Sequence, residues 1–276
     1  MIATHRDNLN IFNLIENLDN IYNELSLLLV LVSQESSIKY TPKRNNLTIK
    51  FIDEKKVGLS KARNIGLNYL LKNNISSEYI MFPDDDSTFD STFFKNFKNI
   101  LDSKKCYITP IYNCGTKELY LGKKIKENTL LNENSHKFVG SPNQVILYEK
   151  FKDEIYFDEN LGVGSNNGSC EDYDLYIRLN RIGAKFYTIN EIYSFHPSKK
   201  NKNKISIEDL IKRYKNYSLG YQYIAKKYNK KNILFSYLTR PLLATIINLL
   251  MLNFKMSRLY ITIYIFRLKL VYKIMF

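Results

Sequence analysis

Three carboxylates in a row, Asp84-Asp85-Asp86, close the mostly apolar run Tyr79-Ile80-Met81-Phe82-Pro83. Like charges held together away from water cost free energy unless a cation or hydrogen-bond donors compensate them. The apolar residues read as a short buried strand, and the ends of strands are where open α/β sheets place ligands. That position suits a hard, oxygen-liganded ion, Mn²⁺ or Mg²⁺, bound together with a phosphorylated substrate. The plainer alternative is a solvated acidic turn. A second group of candidates, Lys61, Arg63 and Asn64, sits in the first turns of a helix expected after Gly58. The helix dipole favours an anion there, so basic residues are poorly placed for helix stability and better explained by a bound phosphate. Exposed, solvated Lys and Arg are the alternative. A third group, Glu171-Asp172, follows a turn containing Gly162, Gly164 and Gly168. Acidic residues often open helices for dipole reasons alone, so by default this pair is a helix start.

These groups must be positioned by regular elements, and the pattern supplies them. Ile2 to Thr4 look like a strand, though a short one for a central position in a sheet. Either the recorded start is late or a neighbour covers the gap. Ile11, Leu14, Ile15, Leu18 and Ile21 have the spacing of an amphipathic helix over residues 10–25. Leu27 to Val32 are continuously apolar, as in a parallel strand buried on both faces. Leu47 to Ile52 form the next strand, and Ser60 is expected to cap the helix that follows. Strand Tyr79 to Phe82, a helix over 91–101, strand Cys106 to Ile111 and strand Asn143 to Tyr148 continue the alternation. The polar stretch 113–137 reads as a loop or small hairpin over the site. After the glycine-rich turn, Ser169 is expected to cap a helix running to Gly183, and Lys185 to Phe195 form a last strand. Strand and helix alternating in this way predict an α/β fold, a mostly parallel sheet flanked by helices.

The chain has 276 residues, 45% of them apolar, enough for one large α/β domain with an appendage. A net charge of +14 predicts an anionic partner: nucleic acid, a nucleotide or a membrane surface. Nucleic acid is disfavoured because no binding motif appears. Cys106, Cys114 and Cys170 lack metal-ligand spacing, which points to a reducing compartment rather than a disulfide framework. The N-terminus has no apolar signal region, so a cytosolic location is expected unless the C-terminus holds the chain elsewhere. Ile207 to Tyr228 read as an amphipathic helix. Ile233 to Leu252 are largely apolar but interrupted by Arg240 and Pro241, which makes a span of about 20 apolar residues borderline. From Phe254 to Phe276, aliphatic and aromatic residues mix with Lys255, Arg258, Arg267, Lys269 and Lys273. That mixture suits a helix lying on an anionic leaflet, with a helical dimer interface as the alternative. The expected division is therefore a domain over 1–205 and a helical extension over 206–276.

In order along the chain, Ala3-Thr4 with Arg6, the run Gly58-Leu59-Ser60-Lys61-Ala62-Arg63-Asn64-Ile65-Gly66, Asp84-Asp85-Asp86, and Glu171-Asp172 with Asp174-Leu175 and Arg178-Leu179 resemble glycosyltransferase family 2. The likeness spans roughly residues 1–200. It implies the GT-A fold and an inverting, metal-dependent transfer from a nucleotide-diphosphate sugar, a UDP-sugar above all, to a glycan or lipid-linked acceptor of bacterial surface polysaccharide. It implies Asp84 and Asp86 as metal residues, with Asp86 the direct ligand and Asp84 nearer the ribose. His196, otherwise a capping or core histidine, is implied to complete the metal shell or touch the diphosphate. Thr4, Arg6, Gln34, Glu35, Lys61, Arg63, Asp84 and Asp85 are implied to bind the nucleotide sugar. Asp172 is implied as general base and Glu171 as the residue that orients the acceptor. The chain departs from the family at Ser33-Gln34-Glu35-Ser36, where an Asp-rich turn is usual, so Gln34 or Glu35 stands in its place. With the basic tail, the resemblance implies a cytoplasmic enzyme attached to the inner face of the inner membrane. Two alternatives remain: an inactive scaffold with the same fold, and a basic nucleic-acid-binding protein.

Overall fold

The computed structural model describes the chain except for residues 5–7, 22–23, 36–37, 101–103, 117, 122–125, 198–204 and 276. The described chain divides into two compact units, residues 1–158 with 172–199, and residues 159–171 with 200–276.

The first unit carries the sheet. Strands β1 (Ile2–Thr4), β2 (Leu27–Gln34) and β3 (Leu47–Glu54) run parallel, with Ile2 opposite Leu31 and Leu31 opposite Phe51. The apolar stripe of helix α1 (Asn8–Asn20) is buried as its spacing predicts: Ile11, Leu14, Ile15 and Leu18 pack with Leu29 and Leu31. Helix α2 (Leu59–Lys72) follows β3. Strand β4 (Tyr79–Ile80) leads to the acidic run, and helix α3 (Ser91–Lys98) adds Phe93 and Phe94 to the core. The prediction of a mostly parallel α/β fold flanked by helices holds.

Several boundaries differ for identifiable reasons. The stretch expected as one strand from Cys106 to Ile111 forms two, β5 (Cys106–Ile108) and β6 (Ile111–Asn113). Pro110 lies between them and has no N–H to give to a ladder. Strand β7 (Gln144–Leu147) runs antiparallel to both β4 and β5, and the short helix α4 (Tyr148–Phe151) follows it. The last predicted strand also divides, into β8 (Phe186–Thr188) beside β5 and β9 (Ser194–His196) beside β6. Ser60 is not the cap of α2. Gly58 occupies that position without a side-chain bond, and Ser60 is buried in the first turn. Nor does Ser169 cap helix α5 (Glu171–Arg181), because its hydroxyl donates to the Tyr217 carbonyl at 3.2 Å. Cys170, with φ at 70°, stands between the two. Beside Met1 a cavity of about 530 Å³ opens between Leu27–Val30 and Glu78–Met81. The Met1 amino group donates to the Met81 carbonyl there at 2.8 Å, and burial lowers its pKa to about 5.

The second unit is built on helices α6 (Ile207–Lys227), α7 (Lys231–Leu250) and α8 (Phe254–Met275). Ser206, rather than a hydrophobic residue, opens α6 by accepting the Asp209 N–H. Pro241 does not end α7. Arg267, expected at a membrane surface, turns inward instead: it donates to the Ser218 hydroxyl at 2.9 Å and to the Tyr237 carbonyl at 2.7 Å, tying the three helices together. No helix among the described residues is long and apolar enough to cross a membrane.

Gly220 lets α6 carry the glycine-rich turn. A Cβ at Gly220 would lie 2.5 Å from the Ser169 carbonyl oxygen, a backbone atom that cannot step aside alone. Gly220→Ala is therefore expected to lower stability by about 1–3 kcal/mol, the usual range for overpacking, read as a shift in the denaturant midpoint.

Candidate active site

The acidic run is fixed from both sides, by a side-chain hydrogen bond on one and by backbone pairing on the other. Thr4, at the end of β1, donates from Oγ1 to Asp85 Oδ2 at 2.7 Å. Just past Asp86, Thr88 and Phe195 exchange two backbone hydrogen bonds, of 3.0 and 2.8 Å. That bridge holds β9 against the run and brings its last residue, His196, beside the carboxylates. His196 Nε2 lies 3.0 Å from Asp86 Oδ1 and 3.7 Å from Asp84 Oδ2. The imidazole stacks on Tyr120, with ring centroids 4.0 Å apart, and its Nδ1 is 3.0 Å from the Pro197 carbonyl. Asp84, Asp86 and His196 thus offer three ligand atoms within 4.8 Å of one another.

The electrostatics of this cluster favour a cation. Burial raises the Asp84 carboxyl to about 6; Arg63 and His196 oppose the shift, and Asp86 and Asp85 add to it. Burial pulls the other way on His196, yet its hydrogen bond to Asp86, its contact with the Pro197 carbonyl and the two nearby charges leave its pKa raised. A ring that donates from Nδ1 to Pro197 presents Nε2 to two carboxylates, an arrangement completed by a proton or by a metal ion. Two carboxylate oxygens and one imidazole nitrogen are donors that Mn²⁺ accepts and Mg²⁺ tolerates. The residues therefore fit the implied metal.

Arg63 is placed differently from a simple phosphate ligand. Its guanidinium is buried, donates to Ser141 Oγ at 2.7 Å, lies 3.7 Å from Asp84 Oδ1, and covers the Phe157 ring at 5.0 Å. Ser141 in turn donates its backbone N–H to Asp172 Oδ2 at 3.2 Å. A continuous chain of contacts, Asp84 to Arg63 to Ser141 to Asp172, joins the acidic run to the start of α5. Asp172 Oδ1 accepts the Tyr173 N–H at 2.7 Å, and the Gln144 amide donates to the Asp172 carbonyl at 3.1 Å. A Cβ at Gly140 would press on the Leu121 side chain at 3.1 Å and lie in ordinary contact, at 3.6 Å, with Asp172 Oδ2. Further along α5, the fully buried Asp174 holds Arg178 at 2.9 Å. Arg178 also donates to the carbonyls of Glu154 and Tyr156. This second acid is structural.

Gln34 is buried at the end of β2, where its Oε1 accepts the Val57 N–H at 2.7 Å and holds the loop before α2. Glu35 takes a left-handed conformation, with φ at 57°. Lys61 is exposed on the first turn of α2, and Glu171 is buried at the first position of α5. Arg6 lies outside the described residues. Sequence reasoning missed Ser141, Tyr120 and Phe157. The turn signal Gly140-Ser141-Pro142-Asn143 was available for the first, whereas Tyr120 lies in the stretch the pattern left unplaced. Ser141→Ala should cost about 1–3 kcal/mol of stability, because a buried cation loses an acceptor. Thermal unfolding checks this, and Ser141→Thr, which keeps the hydroxyl, should recover most of it.

No protein-family model and no curated protein matches the chain. Solved structures do. Crystal structures of S. aureus TarS 1–349, alone and in complex with UDP, align with TM-scores of 0.56, at 13% and 14% identity, over 95% and 96% of this chain and 88% and 89% of theirs. The fold is shared with TarS 1–349. A complex of TarS 1–349 with UDP-GlcNAc aligns at 0.51 and 15% identity, over 80% of this chain and 65% of that one. The chain spans 38% of the longer TarS crystal structure, with 16% identity and a TM-score of 0.53.

Proposed function

We propose that the chain is an inverting glycosyltransferase of the family 2 type that moves a sugar from a UDP-sugar to a hydroxyl of a glycan or lipid-linked acceptor in bacterial surface polysaccharide synthesis. The observation that carries the proposal is the convergence of Asp84, Asp86 and His196 within 4.8 Å, on a fold shared with a protein solved with UDP and with UDP-GlcNAc. Asp84, Asp86 and His196 would hold Mn²⁺ or Mg²⁺. Such an ion, when bound, neutralises charge on the diphosphate as it leaves.

Asp172 serves as general base. The Ser141 and Tyr173 N–H groups each donate to one of its carboxylate oxygens and fix its orientation. It takes the proton of the acceptor hydroxyl as that oxygen attacks the anomeric carbon; the bond from that carbon to the diphosphate oxygen breaks on the opposite face, and the configuration inverts. Glu171 orients the acceptor, and Thr4, Gln34, Glu35, Lys61 and Asp85 line or support the nucleotide site, a role the resemblance also implies for Arg6. Arg63 acts from behind Asp84. The basic helical extension keeps the enzyme at the cytoplasmic face of the inner membrane, near a lipid-linked acceptor.

Release of UDP from a panel of UDP-sugars, with and without Mn²⁺, tests this reading. Metal-dependent release from at least one sugar is expected. Binding of UDP without any release would favour an inactive scaffold, and no binding of any nucleotide sugar would overturn the proposal.

A further inference from the structure

Positive charge is concentrated at one end of this chain. Residues 210–276 contain 13 of the 41 Lys and Arg and none of the 27 Asp and Glu, so they supply 13 of the 14 excess charges. The same segment exposes apolar side chains in a pattern. Leu243, Ile246, Ile247 and Leu250 face solvent on α7 at the i, i+3, i+4, i+7 spacing of a single helix face. The stripe runs into the turn between α7 and α8, where Leu250 is 80% exposed, Met251 73%, Leu252 74% and Phe254 66%. Isolated apolar residues are ordinary on a surface, but a contiguous group of this size marks a contact. Arg240 is exposed before the stripe, and Lys255 and Arg258 are exposed just after the turn. The packing needs of the bundle are met elsewhere: Leu259 and Ile263 are buried against Ile207, and Arg267 is engaged with Ser218 and Tyr237.

We infer that the α7–α8 turn, Leu249–Phe254, enters an anionic bilayer leaflet, with Arg240, Lys255 and Arg258 at the lipid phosphates. This rests on the membrane attachment proposed above and names the segment that makes it. Charge selects this occupant. A second copy would set two α7–α8 surfaces, both basic and without carboxylates, against each other. Nucleic acid would satisfy the basic residues but leave the large apolar side chains in water. An anionic leaflet matches both, and since no described helix is suited to crossing, insertion stops at the interface.

The chain contains no tryptophan, so Phe254→Trp places a single indole at the turn. In the full-length protein its emission should move to the blue on vesicles of phosphatidylglycerol and phosphatidylcholine, and lipids brominated in their acyl chains should quench it. Vesicles of phosphatidylcholine alone should bind about 100-fold more weakly, since each of the three basic residues near an anionic surface is worth about fivefold. Leu250→Ser/Met251→Ser, both at exposed positions, should weaken partitioning by about tenfold or more while UDP binding stays as in the wild type. A wild-type chain that binds neither vesicle would overturn the attachment itself. A chain that binds, but whose indole is untouched by brominated lipid and whose Leu250→Ser/Met251→Ser variant binds equally, would overturn the assignment to this turn alone. Dissociation of a dimer by that variant, without vesicle binding, would give the face to a second copy and overturn it too.

Discussion

Asp172→Asn is expected to slow sugar transfer by about 10²- to 10⁴-fold, the range general-base catalysis contributes, and to leave the donor's dissociation constant nearly unchanged. The reason lies in what the substitution removes. An amide cannot take the acceptor proton, so the loss falls on an interaction made only in the transition state. Asparagine does not reproduce the carboxylate's surroundings, however. Two backbone N–H groups, of Ser141 and Tyr173, point at its two oxygens, and an amide turns a donor toward one of them. A stability loss of about 1–3 kcal/mol should accompany the slower rate. Single-turnover transfer beside a donor titration separates the two effects. Near-normal transfer by Asp172→Asn would return Glu171-Asp172 to the role of a helix start.

Asp86→Ala, by contrast, is expected to lose donor binding as well as turnover. Asp86 is the carboxylate nearest His196, at 3.0 Å, and a methyl group can neither ligate a hard cation nor pair with the imidazole. Altering groups that merely support a metal ligand costs about 10- to 100-fold in affinity, so loss of a ligand should reach the upper end of that range or exceed it. Calorimetric titration with UDP and Mn²⁺ should show Asp86→Ala weakened by about 100-fold or more, while UDP without metal binds both proteins equally. Equal affinity in the presence of Mn²⁺ would make the acidic run a solvated turn.

What could be read from the sequence was what the chain encodes locally. The stripe Ile11, Leu14, Ile15 and Leu18 and the apolar run of β2 announce their elements because burial repeats with the period of the element itself. The acidic run and Glu171-Asp172 were visible for the same reason: each is a cluster of adjacent residues. The meeting of His196 with Asp86 was not legible as geometry. It depends on Thr88 pairing with Phe195 and on β6 pairing with β9, two contacts between distant parts of the chain. Pro110 could have shown that Cys106 to Ile111 is not one strand. Arg63 illustrates a different limit. Its place in a helix's first turns suggests a bound phosphate, whereas packing over Phe157 and bonding to Ser141 give the guanidinium partners within the protein. Ser141 joins Arg63 through its side chain and Asp172 through its backbone, a pairing that no spacing along the chain reveals.

Asp84, Asp86 and His196 are proposed to form one cation site that carries the donor's diphosphate. Titrating Mn²⁺ into the full chain with UDP, and following loss of the free ion's electron paramagnetic resonance signal, tests it most directly. The expected result is uptake of about one ion per chain at a carboxylate and imidazole site, abolished in Asp86→Ala and strongly weakened in His196→Ala. Undiminished Mn²⁺ uptake by Asp86→Ala, with sugar transfer intact, would contradict the account.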